Sequence, residues 1–156
     1  MKRIVLLPLF CLCMTTAFSS FAASATPDKV NSALLREWVS EKFGSKIDKD
    51  GDLVINADSG KVFVTVMPKF ALVRIFSMYA PFKKRSVQEM IALANKFNSE
   101  KRFLRVSIRP NGACVCDCYV VYKGGLDSAN FLDALDWFLG SKEAWRDTVV
   151  KGMEKK

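Results

Sequence analysis

Apolar residues recur at helical spacing in three separate segments of this chain. In each segment they fall on one face of a helix, as a period of 3.6 residues requires. The second segment is the clearest, because Ser86 and Glu89 have the spacing of a capping box. Gly140 and Ser141 are expected to bend or split the third helix. The first predicted helix spans 30–43, the second begins at Ser86, and the third begins at Asp127 or Ser128.

Five runs rich in β-branched and aromatic residues lie between these helices and predict strands. Turn residues separate the runs, as in Asp58-Ser59-Gly60 and Pro110-Asn111-Gly112. The order of elements is therefore α-β-β-β-α-β-β-α, and the short links favour hairpins. We expect an α+β fold in which helices pack on a five-stranded, mainly antiparallel sheet. The predicted strands are 52–57, 61–67, 71–79, 103–109 and 113–122.

Residues 1–22 have the pattern of a cleavable signal peptide. Lys2 and Arg3 precede an apolar run shorter than the ~20 residues that a membrane span needs. Small residues suit cleavage at Ala22/Ala23 or at Ala25/Thr26, and a retained anchor is the alternative. We expect a periplasmic or secreted protein with no membrane span after cleavage. Residues 23–156 then form a single domain, structured from about 28 to 150.

The composition excludes several kinds of chemistry. The chain has no histidine, so Ser-His-Asp and Cys-His catalysis are absent. We predict no catalytic residue, no cofactor and no enzymatic activity. The acid-rich turn Asp48-x-Asp50-Gly51-Asp52 lacks the spacing of an EF-hand, so it predicts a solvated hairpin turn. The formal net charge of +8, or +6 without Lys2 and Arg3, suggests acidic partners, whereas export argues against nucleic acid.

Cys114, Cys116 and Cys118 alternate along the fifth strand and so share one face. With a two-residue loop at Asn111-Gly112, the thiols lie beside Arg105, Ser107 and Arg109, where positive charge makes them reactive. With a three-residue loop at 110–112, the thiols instead lie opposite Ile108, Val106 and Leu104.

The three-residue loop is favoured for two reasons. Proline suits position i+1 of a type I turn, and glycine suits the left-handed position after it. The opposite face then pairs Arg105 with Asp117 and Phe103 with Tyr119, which are favourable cross-strand neighbours. We therefore interpret the cysteines as core-facing. The alternative is a thiol-based redox or metal-binding strand, but three ligands in a row do not surround an ion, so no metal site is predicted.

The other face of this hairpin is the predicted partner surface. On the favoured register it combines aromatic and basic side chains, a composition that protein interfaces prefer. The alternative is that the second helix covers this face. The residues of the predicted surface are Phe103, Arg105, Arg109 and Tyr119.

Four sets of residues together resemble the YbjN domain family. Their order and spacing carry the resemblance, and they extend over nearly all of residues 23–156. The family resemblance implies the fold of type III secretion chaperones, small α+β domains that often pair and bind other proteins. It implies a chaperone-like or regulatory binding module without established catalytic residues, and the partner is then an unidentified protein or a second copy in a homodimer. The exported leader and the cysteine strand depart from the family pattern. The residues are Leu35-Arg36-x-Trp38, Ile47-Asp48-x-Asp50-Gly51-Asp52-Leu53, Ala94-Asn95-x-Phe97-Asn98 with Arg102-Phe103, and Gly124-Gly125 before Phe131 and Phe138-Leu139.

Overall fold

A computed structural model describes residues 22–154, and these form three α-helices and eight strands. The predicted signal peptide lies outside the described residues, apart from Ala22. The helices are α1 (Ser32–Val39), α2 (Val87–Glu100) and α3 (Ser128–Glu154). The strands are β1 (Ser24–Ala25), β2 (Gly44–Ile47), β3 (Leu53–Ala57), β4 (Gly60–Met67), β5 (Leu72–Tyr79), β6 (Arg105–Ile108), β7 (Cys114–Val121) and β8 (Leu126–Asp127).

The main sheet is antiparallel throughout, with strand order β2-β3-β4-β5-β7-β6, and β1 pairs with β8 in a separate small sheet. The α+β class is therefore confirmed, but the main sheet has six strands where five were predicted. The additional strand is β2, which pairs with β3 from Gly44↔Asn56 to Ile47↔Leu53. Its sequence, Gly-Ser-Lys-Ile, lacks alternation, and hydrogen bonding to β3 alone makes it a strand.

All three helices bury residues in one core with a single face of the sheet. The sheet contributes alternate residues of its strands, including the three cysteines of β7. Phe97 of α2 packs edge-on against Trp145 of α3, with ring centroids 5.4 Å apart. The opposite face, which carries Arg105 and Asp117, contributes no residue to this core. The helical contributors are Leu35, Val39, Met90, Ala94, Phe97, Phe131, Leu135, Phe138, Trp145 and Val149.

Two helix predictions need correction. The first helix is shorter than 30–43, because the Asn31 side chain caps it by accepting the Leu34 N–H at 3.0 Å, and it ends at Val39. The third helix is not split at Gly140 but continues to Glu154. Glycine inside a helix costs about 1 kcal/mol relative to alanine. Buried Phe138 and Trp145 on either side hold this helix against the core and offset that cost.

The segment before α1 is part of the fold through its contact with Gly125. A Cβ on Gly125 would lie 2.7 Å from the Ala25 carbonyl oxygen, and the residue has a φ of +108°. Only glycine permits both the close approach and that backbone conformation. The Ser128 N–H also donates to the Ala23 carbonyl at 2.8 Å, so Ala23–Ala25 lies against the start of α3.

Asn98 of α2 closes the outer edge of the main sheet. Its Oδ1 accepts the Val106 N–H at 2.9 Å, and its Nδ2 donates to the Val106 carbonyl at 2.9 Å. Because β6 is an edge strand, these backbone groups have no strand partner on that side. The amide therefore acts in place of a neighbouring strand, which limits edge-to-edge association.

We expect Asn98→Ala to lower the free energy of unfolding by about 1–2 kcal/mol, since both hydrogen bonds to Val106 are lost. Urea denaturation followed by circular dichroism measures the change. Asn95→Ala, on the exposed side of the same helix, is the matched control and should change stability by less than about 0.5 kcal/mol. Equal effects of the two substitutions would contradict a role for Asn98 at the sheet edge.

Candidate functional site

The β6–β7 hairpin has the register of the three-residue loop. Ile108 pairs with Cys114, Val106 with Cys116, and Arg105 with Asp117. Arg109 closes the loop, because its N–H donates to the Ala113 carbonyl and its carbonyl accepts the Gly112 N–H, both at 2.8 Å. Gly112 has the positive φ, +81°, that the last loop position requires. The predicted loop is confirmed.

The three thiols face the core, as interpreted from the sequence. Cys114 and Cys116 have no exposed surface, and Cys118 is 5% exposed. Burial raises the pKa of Cys118 to about 12. The hydrogen bond to Cys114, together with burial, raises the pKa of Cys116. Within residues 22–154 no cluster of His, Cys, Asp or Glu could hold a metal ion. The same hydrogen bond lowers the pKa of Cys114, but its sulfur atom is fully buried. The burial of all three thiols favours a structural role over nucleophilic chemistry.

We expect the folded protein to resist thiol reagents. Incubation with an excess of a maleimide at neutral pH should label Cys114, Cys116 and Cys118 slowly, because the reagent does not reach the buried sulfur atoms. Labelling in strong denaturant should go to completion, and mass spectrometry counts the adducts. Rapid labelling of the native state would contradict the structural role and restore the redox alternative.

The outer face of the sheet carries an ion pair that the sequence did not reveal. Arg74 on β5 donates to Asp117 Oδ2 through Nη2 at 2.7 Å and Nε at 3.2 Å. The guanidinium also lies over the Phe76 ring, 4.5 Å from its centroid, and the Tyr119 hydroxyl lies 3.4 Å from the same carboxylate oxygen. Asp117 is thus neutralised by Arg74, although Arg105 is its partner in the strand register.

Arg105 is therefore left exposed and without a counter-ion. In the described part of the chain its side chain forms no ion pair or hydrogen bond. It lines a cleft of about 600 Å³ together with Lys101 and Arg102. Because Asp117 is the single carboxylate in this lining and is already paired with Arg74, the cleft has a net positive charge. The full lining is Asn98, Lys101, Arg102, Phe103, Leu104, Arg105, Asp117, Cys118 and Tyr119, which we call the basic cleft.

Phe103 connects the basic cleft to an exposed tryptophan on α3. Its ring centroid lies 6.3 Å from that of Trp137, which is 67% exposed. Trp137 lines a neighbouring groove of about 480 Å³ with Lys101 and Asp136. Helical periodicity could have predicted the exposure of Trp137, since it is one residue before core-facing Phe138 and so lies about 100° away from it around the helix.

The structure brings together three of the four residues predicted for the partner surface. Phe103, Arg105 and Tyr119 line the basic cleft. Arg109 is exposed at the loop end of the hairpin, about 13 Å along the strand from Arg105, and does not line the cleft. No helix covers this face, because α2 buries Met90, Ala94 and Phe97 in the core on the other side.

The fold and the cleft define a small α+β protein with helices on one side of an antiparallel sheet and a basic cleft at the sheet edge, lined from both sides of the sheet. The model of the YbjN family, described as "putative bacterial sensory transduction regulator", matches residues 27–150. The chain belongs to the YbjN family, as its sequence motifs predicted.

Two solved structures share this fold. The crystal structure of YbjN, "a putative transcription regulator from E. coli", has a TM-score of 0.66 and 9% identity over 82% of this chain and 97% of that chain. The HopA1-SchA chaperone-effector complex gives a TM-score of 0.55 and 13% identity over 74% of this chain and 91% of that chain. The predicted likeness to type III secretion chaperones is confirmed at the level of the fold. A comparison with curated proteins found no match. Among residues 22–154, no helix has the length and hydrophobicity to cross a bilayer.

Proposed function

We propose that this protein is an exported, non-catalytic module that binds another protein, in a chaperone-like or regulatory role, through the basic cleft. The observation that carries the proposal is the uncovered sheet face on which Arg105 lacks a counter-ion beside the exposed rings of Phe103 and Tyr119. Arginine and aromatic residues at the centre of a surface are the side chains that contribute most to protein binding.

The charge of the basic cleft favours an acidic partner. Lys101, Arg102 and Arg105 contribute three positive charges, and Asp117 is compensated by Arg74. Met78 and Val121 on the same sheet face are exposed and add apolar area beside the charged groups. A segment that carries carboxylates next to apolar or aromatic side chains fits this combination, since complementary potentials steer association and fix orientation.

Homodimerisation through the basic cleft is disfavoured by the same charges. Two copies facing each other would place Arg105 near the cations of the second cleft, and like charges in an interface cost several kcal/mol. A homodimer would therefore use another surface and leave the cleft to a different chain. The likeness to a chaperone-effector complex supports a fold suited to protein binding.

We expect Arg105→Glu to weaken partner binding by about tenfold or more, because reversal removes an attraction and adds a repulsion. A photoreactive residue at Tyr119 first captures the partner in cells, and mass spectrometry identifies it. Affinity for the purified partner is then measured with wild type and variant. Arg36→Glu, an exposed charge reversal on α1, is the control and should bind like wild type.

Unchanged binding by a folded Arg105→Glu variant would contradict the basic cleft as the partner surface. Equal weakening by Arg105→Glu and Arg36→Glu would assign the effect to net charge alone. Crosslinking from Tyr119 to a second copy of this chain would instead support a homodimer through this face.

The sequence pattern of residues 1–22 supports export, and the contacts of Ala23–Ala25 bear on where the leader would be cleaved. Cleavage at Ala22/Ala23 leaves β1 whole, with Ser24 paired to Asp127 and Ala25 to Leu126. Cleavage at Ala25/Thr26 would remove β1 and the carbonyl of Ala23 that accepts the Ser128 N–H. We therefore favour Ala22/Ala23 as the cleavage site.

The mass of the mature protein tests this choice. We expect protein isolated from the periplasm or culture medium to begin at Ala23, as measured by intact mass and N-terminal sequencing. A variant made to begin at Thr26 should be less stable in urea, because it lacks β1. An intact Met1 on the cellular protein would contradict export by cleavage, and a native start at Thr26 would contradict the role of β1.

A further inference from the structure

β4 and β5 separate at one end of the main sheet. They pair from Met67↔Leu72 to Phe63↔Phe76 and no further. Beyond that point β4 pairs with β3 as far as Gly60, while β5 pairs with β7 as far as Tyr79. A cavity of about 440 Å³ opens there, lined by Ser59, Gly60, Lys61, Phe63, Ser77, Met78, Tyr79 and Lys142. We call it the strand slit.

Two side chains satisfy the carbonyl groups that the split ladder leaves open. Ser77 Oγ donates to the Lys61 carbonyl at 2.8 Å. Lys142 Nζ, from α3, donates to the Gly60 carbonyl at 3.3 Å. The serine hydroxyl has a single donor, which this hydrogen bond uses, but an ammonium group has three donors and carries a charge. The bond to the Gly60 carbonyl therefore satisfies only part of the hydrogen-bonding capacity of Lys142.

Lys142 is the least expected residue of the core. It is 1% exposed, yet no carboxylate forms an ion pair with it anywhere in residues 22–154. The charged or titratable groups near it are Glu143 and Arg146 on α3 and Cys116 on β7, and burial lowers its pKa. A buried ammonium without a counter-ion is costly and calls for a specific compensation.

Tyr79 lines the same cavity and carries a second unsatisfied group. Its hydroxyl is buried and has no hydrogen-bond partner among the described residues. Lys142 Nζ lies 6.0 Å from the centroid of the Tyr79 ring, so the two side chains are neighbours. Native proteins leave few buried polar atoms unpaired, so this hydroxyl requires a partner, which water, an ion or a ligand supplies.

The remaining walls of the strand slit are apolar on one side. Phe63 and Met78 belong to the outward-facing rows of β4 and β5, whereas Ser77 and Tyr79 belong to the rows that face the helices. The slit thus combines a polar inner end at Lys142 and Tyr79 with an apolar outer end at Phe63 and Met78. Its volume is within the range of small-molecule sites.

We propose that the strand slit binds a small organic carboxylate with a short apolar chain. The carboxylate accepts hydrogen bonds from Lys142 Nζ and the Tyr79 hydroxyl, and the chain lies against Phe63 and Met78. The anion supplies the counter-charge that Lys142 lacks and an acceptor for Tyr79. The strand slit shares no lining residue with the basic cleft, and Met78 is the one residue that it has in common with the apolar area beside that cleft.

Hexanoate is the probe that tests the site. We expect saturable binding to the full mature protein by calorimetry, weakened about tenfold or more by Lys142→Met, which removes a charged donor. Tyr79→Phe, which removes only the hydroxyl, should weaken binding about three- to tenfold. Lys46→Met, an exposed lysine of β2 outside the slit, is the control and should leave hexanoate affinity unchanged.

A second measurement reports on Lys142 directly. Hexanoate should move the NMR titration of the Lys142 ε-amine to higher pH, because a nearby carboxylate favours the ammonium form. Equal hexanoate affinity of wild type, Lys142→Met and Tyr79→Phe would overturn the proposal. So would the absence of any saturable binding, or binding of inorganic phosphate but not hexanoate. If Lys142→Met fails to fold, Tyr79→Phe and the titration still decide the outcome.

Discussion

The register of the β6–β7 hairpin is the constraint on which the rest of this structure depends. Side chains alternate across a strand, so a slip of one residue would exchange its two faces. The three-residue loop closed by Arg109 and Gly112 sets the register in which the cysteines enter the core and Arg105 and Asp117 face outward. Because all three helices pack on the cysteine side, the sheet face that carries Arg105 and Asp117 remains uncovered.

The outer face then distributes its charges unevenly. Arg105 is the cross-strand neighbour of Asp117, but Arg74 forms the ion pair and also lies over the Phe76 ring. The pair stabilises the sheet, and Arg105 remains available to solvent and to a partner. Among the described residues, the ion pair that stabilises the sheet and the proposed partner surface thus use different arginines, so that a charge change at Arg105 leaves the buried pair intact.

A similar division occurs at the other end of the sheet. β5 pairs with both β4 and β7, and its ladder with β4 ends at Phe63↔Phe76 while its ladder with β7 continues to Tyr79↔Cys114. The backbone carbonyls of Lys61 and Gly60, which lack a strand partner on this side, accept hydrogen bonds from Ser77 and Lys142. A buried lysine is a poor way to satisfy one carbonyl, since its charge costs more than one hydrogen bond returns. Because the cost of the buried charge exceeds the gain from one hydrogen bond, the strand slit differs from ordinary core packing, in which buried polar groups are compensated.

The sequence by itself determined the elements with local signals: three amphipathic helices, the capping box at Ser86, the hairpin register and the family motifs. These elements arise from hydrophobic periodicity, helix capping and turn chemistry. Each of these acts over a few residues and can be recognised directly in the sequence. Tertiary structure alone decided the rest. β2 is a strand only because β3 pairs with it, and α3 continues through Gly140 because the core holds both sides. Arg74 reaches Asp117 from 43 residues away, and Lys142 reaches Gly60 from 82. Such contacts depend on where the packed strands and helices bring distant side chains, and no local pattern contains that information.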